Sequence, residues 1–174
     1  MSTTEPTLLI RRATATAVLA VTVLALNACG ASTVQERSKP TITLDQAKKQ
    51  IDDDLAAILA KLPVKPANSL GAFSDLECEA NDVGPHGRTQ TRRGYDFGDV
   101  PSAPKAETVN AFRTFLTGQG FQPVEDPAGA HNDWVRLKNQ DGFLATLDGV
   151  ADTSHDLTLR VSSPCVWPNG TPPA

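Results

Sequence analysis

Residues 134–148 read WVRLKNQDGFLATLD, and this stretch decides the fold class. Two segments of strand length, 134–138 and 143–148, flank the polar residues NQDG, which end in Gly142. A short polar loop with glycine in its last position is typical of a β-hairpin. We therefore predict two antiparallel strands joined by the loop 139–142.

Further strands are indicated on both sides of this hairpin. Toward the C-terminus, Leu157, Leu159 and Val161 alternate with polar residues, a pattern typical of a strand with one buried face. Toward the N-terminus, short apolar segments bounded by turn residues predict strands at 72–79, 92–97 and 121–124.

Two segments have the apolar spacing of helices. The first begins after Thr43, because Thr43 and Gln46 match a capping box, and Pro63 ends it. Its apolar positions are Ala47, Ile51, Leu55, Ile58, Leu59 and Leu62. The second runs from Lys105 to Thr117, and its buried side comprises Val109, Phe112, Phe115 and Leu116. This element order predicts an α+β fold, with an antiparallel sheet of about five strands packed under two helices.

Length and charge exclude several classes of protein. The chain has 174 residues, with 16 Lys or Arg, 20 Asp or Glu and a net charge of -4. This length suits one domain with short appendages, not a multidomain enzyme. Nucleic-acid binding requires clustered Lys and Arg, so the acidic balance argues against a nucleic-acid partner.

The N-terminus has the layout of a secretory signal. Arg11 and Arg12 precede an apolar run at 13–26. This run is too short to span a bilayer, because a transmembrane helix needs about 20 predominantly apolar residues. We therefore expect export and not a spanning helix.

The apolar run ends in LNACG at residues 26–30, which resembles the lipobox of bacterial lipoproteins. The resemblance implies that Cys29 is lipidated, that residues 1–28 are removed as a signal peptide, and that the cell membrane holds the protein by a lipid on its extracytoplasmic face. In family terms, the chain resembles the uncharacterised small lipoproteins of actinobacteria. Ordinary secretion is the alternative, and it would leave a stray thiol at Cys29 in an oxidising compartment.

The remaining chain divides into three parts. Residues 29–41 are polar and lack periodicity, which predicts a tether behind the lipidated cysteine. Residues 42–165 contain every predicted element and form the single α+β domain, and residues 166–174 are expected to be a Pro-rich exposed tail. Without residues 1–28 the chain has 14 basic and 19 acidic residues, and this net charge of -5 disfavours adhesion to anionic lipid.

Two cysteines remain after Cys29. Cys78 and Cys165 are expected to pair, because an exported protein folds in an oxidising compartment. A redox-active pair would favour a Cys-x-x-Cys spacing, which is absent here. We therefore predict a structural disulfide.

No sequence motif identifies a catalytic, metal or cofactor site. Ser102 and Lys105 have the serine-x-x-lysine spacing of penicillin-binding proteins, but the other motifs of that class are missing and a helix start explains the string. His86, His131 and His155 lack metal-ligand spacing and are expected to be surface residues of loops.

A carboxylate pair is also possible on the strand at 72–79. Glu77 and Glu79 are two residues apart and would project from one face. With Cys78 facing the core between them, both glutamates are expected to face solvent.

The polar loop 80–91 is the predicted contact surface. It contains His86 and Arg88 and leads into Arg92 and Arg93, whose guanidinium groups suit a carboxylate or phosphate. The sequence thus favours a noncatalytic domain that contacts another envelope protein or a small ligand. A ligand carrier, which requires an apolar cavity between sheet and helices, and a small envelope hydrolase are the alternatives.

Overall fold

The hairpin predicted around Gly142 forms in the computed structural model, which describes residues 38–79, 86–124, 133–151 and 156–173. Its strands are Trp134–Lys138 and Leu144–Asp148, with Lys138 paired to Leu144 next to the turn. The loop closes because the Asn139 side chain accepts a hydrogen bond from the Phe143 amide at 2.8 Å. Gly142 has a φ of 90°, a conformation that favours glycine.

The predicted α+β class is confirmed. The described residues form two helices, α1 (Leu44–Leu59) and α2 (Ser102–Gly118), and a sheet of seven strands in place of about five. The strands are β1 (Asn68–Ser69), β2 (Ser74–Glu77), β3 (Thr89–Asp99), β4 (Gln122–Pro123), β5 (Trp134–Lys138), β6 (Leu144–Asp148) and β7 (Asp156–Ser162). Their order is β1-β3-β7-β6-β5-β4, β2 also pairs with β3, and every pairing is antiparallel.

Helix α1 begins at the predicted capping box. The Thr43 hydroxyl accepts a hydrogen bond from the Gln46 amide, and the Gln46 side chain accepts one from the Thr43 amide. These bonds satisfy two amides that the first helical turn leaves without partners. The helix ends at Leu59, whereas the apolar pattern predicted that it would continue to Leu62.

The core lies between the two helices and one face of the sheet. The central strand β7 buries its alternate residues completely, and β6 adds Ala145 and Leu147 from the same face. Four residues of α1 cover this face: Ala47, Ile51, Leu55 and Ile58. The buried stripe of α2 comprises Lys105, Thr108, Phe112 and Leu116.

The predicted domain boundaries are wrong at both ends of the described domain. Trp167 is 1% exposed, and its indole nitrogen donates to the Lys39 carbonyl at 3.2 Å. The Thr41 hydroxyl accepts from the Trp167 amide, and the Thr41 amide donates to the Gly170 carbonyl. The end of the predicted tether and the start of the predicted tail are therefore joined by hydrogen bonds. Val166 and Trp167 are buried, whereas the whole tail was expected to be exposed.

The predicted disulfide is present. Cys78 follows β2 and Cys165 follows β7, and their Cα atoms are 6.1 Å apart. A bridge between Thr89 and Val166 lies beside it. The bond therefore joins the edge of the sheet to the end of its central strand.

Gly94 provides a test of this sheet. A Cβ atom there would lie 2.2 Å from the Leu159 carbonyl oxygen on the paired strand. We expect Gly94→Ala to lower the free energy of unfolding by about 3 kcal/mol, because a backbone atom must move. Gly118→Ala is the matched control, because no heavy atom lies within 4 Å of its Cβ position. Urea denaturation checks both variants, and equal stabilities would contradict the strand packing.

Candidate functional site

A groove of about 720 Å³ lies beside α1. Its floor includes the buried side chains of Phe143 and Val166, and its polar wall comes from the outward side of α1. The lining residues are Thr41, Ile42, Gln46, Lys49, Gln50, Asp53, Asp141, Phe143, Pro164, Cys165 and Val166. A volume between about 300 and 1,000 Å³ is common for small-molecule sites, so this groove is a candidate binding surface.

Three features hold the groove in place. The capping box fixes the start of α1, the hairpin turn presents Asp141, and the disulfide positions Cys165. On the rim, the Lys49 ammonium lies 2.6 Å from the Asp53 carboxylate. Both side chains are well exposed, so the pair stabilises the fold little and can rearrange around a ligand.

The predicted contact residue Arg88 lies in a different environment from the expected one. Its side chain is 11% exposed, and its Nε donates to the Glu79 carboxylate at 2.7 Å, with a second contact from Nη2. Glu79 is only 3% exposed, so the prediction that both glutamates face solvent is correct for Glu77 and wrong for Glu79. The alternation fails because β2 ends at Glu77, before Glu79 is reached. Arg88 is therefore a structural ion-pair partner.

The other predicted contact residues do not form one surface. Arg92 is exposed, but the next residue, Arg93, pairs with Val161 on the helix side of the sheet. There the Arg93 guanidinium donates to Asp52 at 2.7 Å and lies 5.4 Å from the Phe73 ring centroid. Successive residues of a strand point to opposite faces, which explains the separation.

His86 is exposed and borders a small depression near the C-terminal segment. The residues that line it are His86, Gly87, Trp167, Pro168, Asn169, Thr171 and Pro173, which include no carboxylate and no serine. His131 and His155 lie outside the described residues, as does Cys29. Among the described residues, the depression around His86 therefore has neither the carboxylate nor the serine that a hydrolytic site would bring beside the imidazole.

Among the described residues, one group has the composition of a metal site. Cys78, Glu79 and Cys165 place their ligand atoms within 4.8 Å of one another. The two sulfurs are bonded to each other, however, and metal binding by cysteine requires thiolates. Glu79 also forms the ion pair with Arg88. With the disulfide formed, these three residues therefore have a structural role.

Ser102 and Lys105 begin α2, as the helix-start interpretation predicted. Pro101 is the N-cap, so Ser102 does not fill the capping role considered for it. Sequence reasoning missed the burial of Lys105, which is 2% exposed and whose Nζ donates to the Ala151 carbonyl at 3.2 Å. The signal was its position seven residues before Phe112, which puts both on one helix face.

A smaller pocket of about 190 Å³ lies between α1 and the C-terminal end of α2. Gln50 and Asp54 of α1 line it together with Gln119 and Asn139. Burial raises the pKa of the Asp54 carboxyl, the nearby Asp53 raises it further, and the hydrogen bond from Gln50 opposes them. One Asp54 carboxylate oxygen is buried without a hydrogen-bond partner.

Asp54→Asn is expected to raise the free energy of unfolding at neutral pH. The raised pKa means that the folded state favours the protonated carboxyl, and this contribution is lost as the pH rises through the folded pKa. Asp54→Asn should therefore be more stable than the natural protein at neutral pH. This difference should disappear at pH values below 3.8, the ordinary pKa of an aspartate. Urea titrations at both pH values measure this, and a less stable variant at neutral pH would contradict it.

Asp75 is the matched control, because its pKa is shifted in the opposite direction from that of Asp54. Hydrogen bonds from Lys48 at 2.8 Å and from Thr91 at 2.6 Å lower the pKa of its carboxyl. The ionised Asp75 carboxylate therefore stabilises the folded state at pH values above the ordinary pKa of 3.8. This stabilisation is lost as the pH falls through the lowered pKa of the folded state. Asp75→Asn should therefore be less stable than the natural protein at neutral pH and approach it in acid.

Within the described ranges, neither helix has the length and apolar character needed to cross a membrane. Comparisons of the chain with protein-family models, with curated proteins and with solved structures find no match.

Proposed function

We propose that this chain is a membrane-anchored extracytoplasmic lipoprotein whose small α+β domain binds a partner and catalyses no reaction. The observation that carries the proposal is the position of Cys29 at the end of an apolar run, in the sequence LNACG. Each buried CH₂ group of an acyl chain contributes about 0.8 kcal/mol, so two or three chains hold a domain at the bilayer.

The disulfide supports the extracytoplasmic part of this proposal. Disulfides persist in exported proteins and are rare in the reducing cytosol. The Cys78–Cys165 bond closes a separation of 87 residues, so it constrains most of the domain. A domain stabilised in this way is suited to the cell envelope.

The groove beside α1 supports a binding role. It combines an apolar floor with charged and amide groups on its rim, which is the composition of a recognition surface. Another envelope protein is the proposed partner, and the groove also favours a second candidate, a small ligand. The carrier hypothesis predicted a cavity between sheet and helices, whereas this groove lies on the flank of α1.

Native mass spectrometry of the membrane-extracted protein separates these two candidates. A protein-contact role predicts the mass of the mature chain alone, because the partner is lost on purification. A small-ligand role predicts a retained mass that disappears when Ile42→Asp places a charge in the groove at a residue that is 40% exposed. The same retained mass in Ile42→Asp would contradict binding in the groove.

Cell fractionation tests the anchor. In a bacterial host that processes lipoproteins, we expect the natural chain in the membrane fraction. Cys29→Ala removes the acceptor thiol, so we expect either release of the domain from the membrane or a membrane-bound chain that still carries residues 1–28, which its larger mass identifies. Ser32→Ala is the matched control, because it changes a residue just outside the sequence LNACG and should leave the chain at the membrane. A membrane-bound Cys29→Ala chain that has lost residues 1–28 would contradict the proposal.

A further inference from the structure

The pocket between α1 and the C-terminal end of α2, which we call the interhelical pocket, contains a carboxylate with an unused oxygen. Asp54 is the one charged residue among the described residues that line it. One Asp54 oxygen accepts a hydrogen bond from the Gln50 side-chain amide at 2.9 Å, and the other oxygen is buried without a partner. A buried acceptor without a donor costs free energy. The pocket therefore presents an acceptor that a ligand with an N–H group would satisfy.

No cation compensates this carboxylate within the described part of the chain. Asp54 takes part in none of the ion pairs there, and its neighbour Asp53 is acidic and pairs with Lys49 instead. Burial raises the pKa of the Asp54 carboxyl, and Asp53 raises it further. This is the behaviour of a carboxylate that has lost water and gained no positive partner. A cation in the pocket would remove that cost.

The end of α2 also favours a positive charge in this pocket. Leu116 and the C-cap residue Gln119 belong to its lining. The C-terminal end of a helix carries a partial negative charge, which attracts cations within the last turn. The last turn of α2 contains no basic residue. The helix end and the Asp54 carboxylate therefore act on the same pocket with the same sign.

The rest of the lining suits the apolar part of an organic cation. Phe115 is partly buried and Phe121 is 5% exposed, and both line the pocket. Aromatic rings attract cations through their faces and pack against methylene groups. The volume of about 190 Å³ is below the range of about 300 to 1,000 Å³ that is common for drug-sized ligands. The occupant is therefore small.

The available acceptors match a primary ammonium group, which carries three N–H donors. One acceptor is the unpartnered Asp54 oxygen. The side-chain oxygens of Gln50 and Gln119 are two more, since neither accepts a hydrogen bond from another described residue. The Asn139 oxygen is already used, because it accepts from the Phe143 amide. A primary ammonium thus fits both the charge and the hydrogen bonding of the lining.

We propose that the interhelical pocket binds a small primary alkylammonium group, with the ammonium on Asp54 and the alkyl chain against the phenylalanine rings. This site is separate from the lipid anchor, and the proposal does not depend on it. The stability that Asp54→Asn is expected to gain agrees with a residue retained for binding, because binding sites commonly sacrifice stability. The group has two sources, a diffusible amine and the lysine side chain of a partner protein.

Saturation-transfer NMR of the purified full chain tests the pocket. The probe is butylammonium chloride at constant ionic strength, and 1-butanol is the uncharged analogue with the same alkyl chain. We expect saturable binding of butylammonium at millimolar concentrations and binding of 1-butanol that is at least about tenfold weaker. Equal binding of the two compounds, or no saturable binding of butylammonium, would overturn the proposal.

Three variants locate the binding. Asp54→Asn should weaken butylammonium binding at least about tenfold and remain folded, since it is expected to be the more stable form at neutral pH. Asp53→Asn is the matched control, because it removes the same charge from a neighbouring residue outside the pocket lining and should change the affinity less than about twofold. Gln119→Leu removes an acceptor supplied by α2 and should weaken binding about threefold. Equal losses in Asp54→Asn and Asp53→Asn would contradict binding at Asp54.

A second ligand distinguishes the two sources of the ammonium group. Nα-acetyl-lysine methylamide carries the same butylammonium group on a peptide unit. Binding as tight as that of butylammonium indicates a lysine of a partner protein, whereas binding at least about tenfold weaker indicates a diffusible amine. Both results support the ammonium pocket.

The groove beside α1 is tested separately from this pocket. Ile42→Asp changes a residue of the groove that does not line the interhelical pocket. It should leave the butylammonium affinity within about twofold of that of the natural protein. Loss of butylammonium binding in Ile42→Asp would place the amine in the groove and overturn the interhelical pocket as its site.

Discussion

Replacing Cys78 and Cys165 together by serine is expected to lower the free energy of unfolding by about 4 to 5 kcal/mol. The reason is the separation of 87 residues between the two cysteines, which the bond constrains in the unfolded chain. This loss is a large fraction of the total stability of a typical domain, which is about 5 to 15 kcal/mol. Urea denaturation of the purified variant measures it.

Reduction of the natural protein is the control for this double substitution. It removes the same bond without changing a side chain, so both should lose similar stability. A loss below about 1 kcal/mol in either experiment would show that the disulfide contributes little to this domain.

Arg88→Met is expected to lower the free energy of unfolding by about 3 to 5 kcal/mol. The variant leaves the Glu79 carboxylate, which is 3% exposed, without its cation. A buried charge without a partner is strongly destabilising, whereas removal of both charges costs less. Glu79→Gln combined with Arg88→Met should therefore be more stable than Arg88→Met alone.

Arg92→Met is the matched control, because Arg92 is exposed and has no ion pair among the described residues. It should change stability by about 0.5 kcal/mol or less. Urea denaturation of Arg88→Met, of the double variant and of Arg92→Met, compared with the natural protein, measures these changes in the free energy of unfolding. Equal and small losses of stability in Arg88→Met and Arg92→Met would contradict the structural role of Arg88 and leave it a candidate contact residue.

The fold could be predicted where local signals agreed. The loop before Phe143 and the capping box at Thr43 each combine a turn or cap with apolar periodicity, and both elements form where they were expected. The strand β1 is two residues long, has no periodicity of its own and was not predicted, whereas the equally short β4 lies within the strand predicted at 121–124. The number of strands was therefore underestimated.

The chain ends were predicted less well, because composition alone decided them. Lys39 and Trp167 belong to polar or Pro-rich segments that resemble linkers. Their hydrogen bond joins residues 128 apart, and pairing over that distance has no local signal. The burial of Trp167 follows from this tertiary contact.

The fold separates the predicted contact residues for the same reason. Arg88 and Arg93 are adjacent to exposed residues in sequence, but their acidic partners Glu79 and Asp52 are identified only by the fold. The groove beside α1 combines residues of the helix, of the hairpin loop and of the segment after β7. Surfaces of this kind depend on register, which the sequence did not specify.

Intact-mass spectrometry of the protein extracted from membranes tests the lipid anchor most directly. We predict a mature chain that begins at Cys29 and is heavier than its polypeptide by a diacylglyceryl group, with or without a further acyl chain. An unmodified mass, or a chain that begins at any other residue, would contradict the anchor.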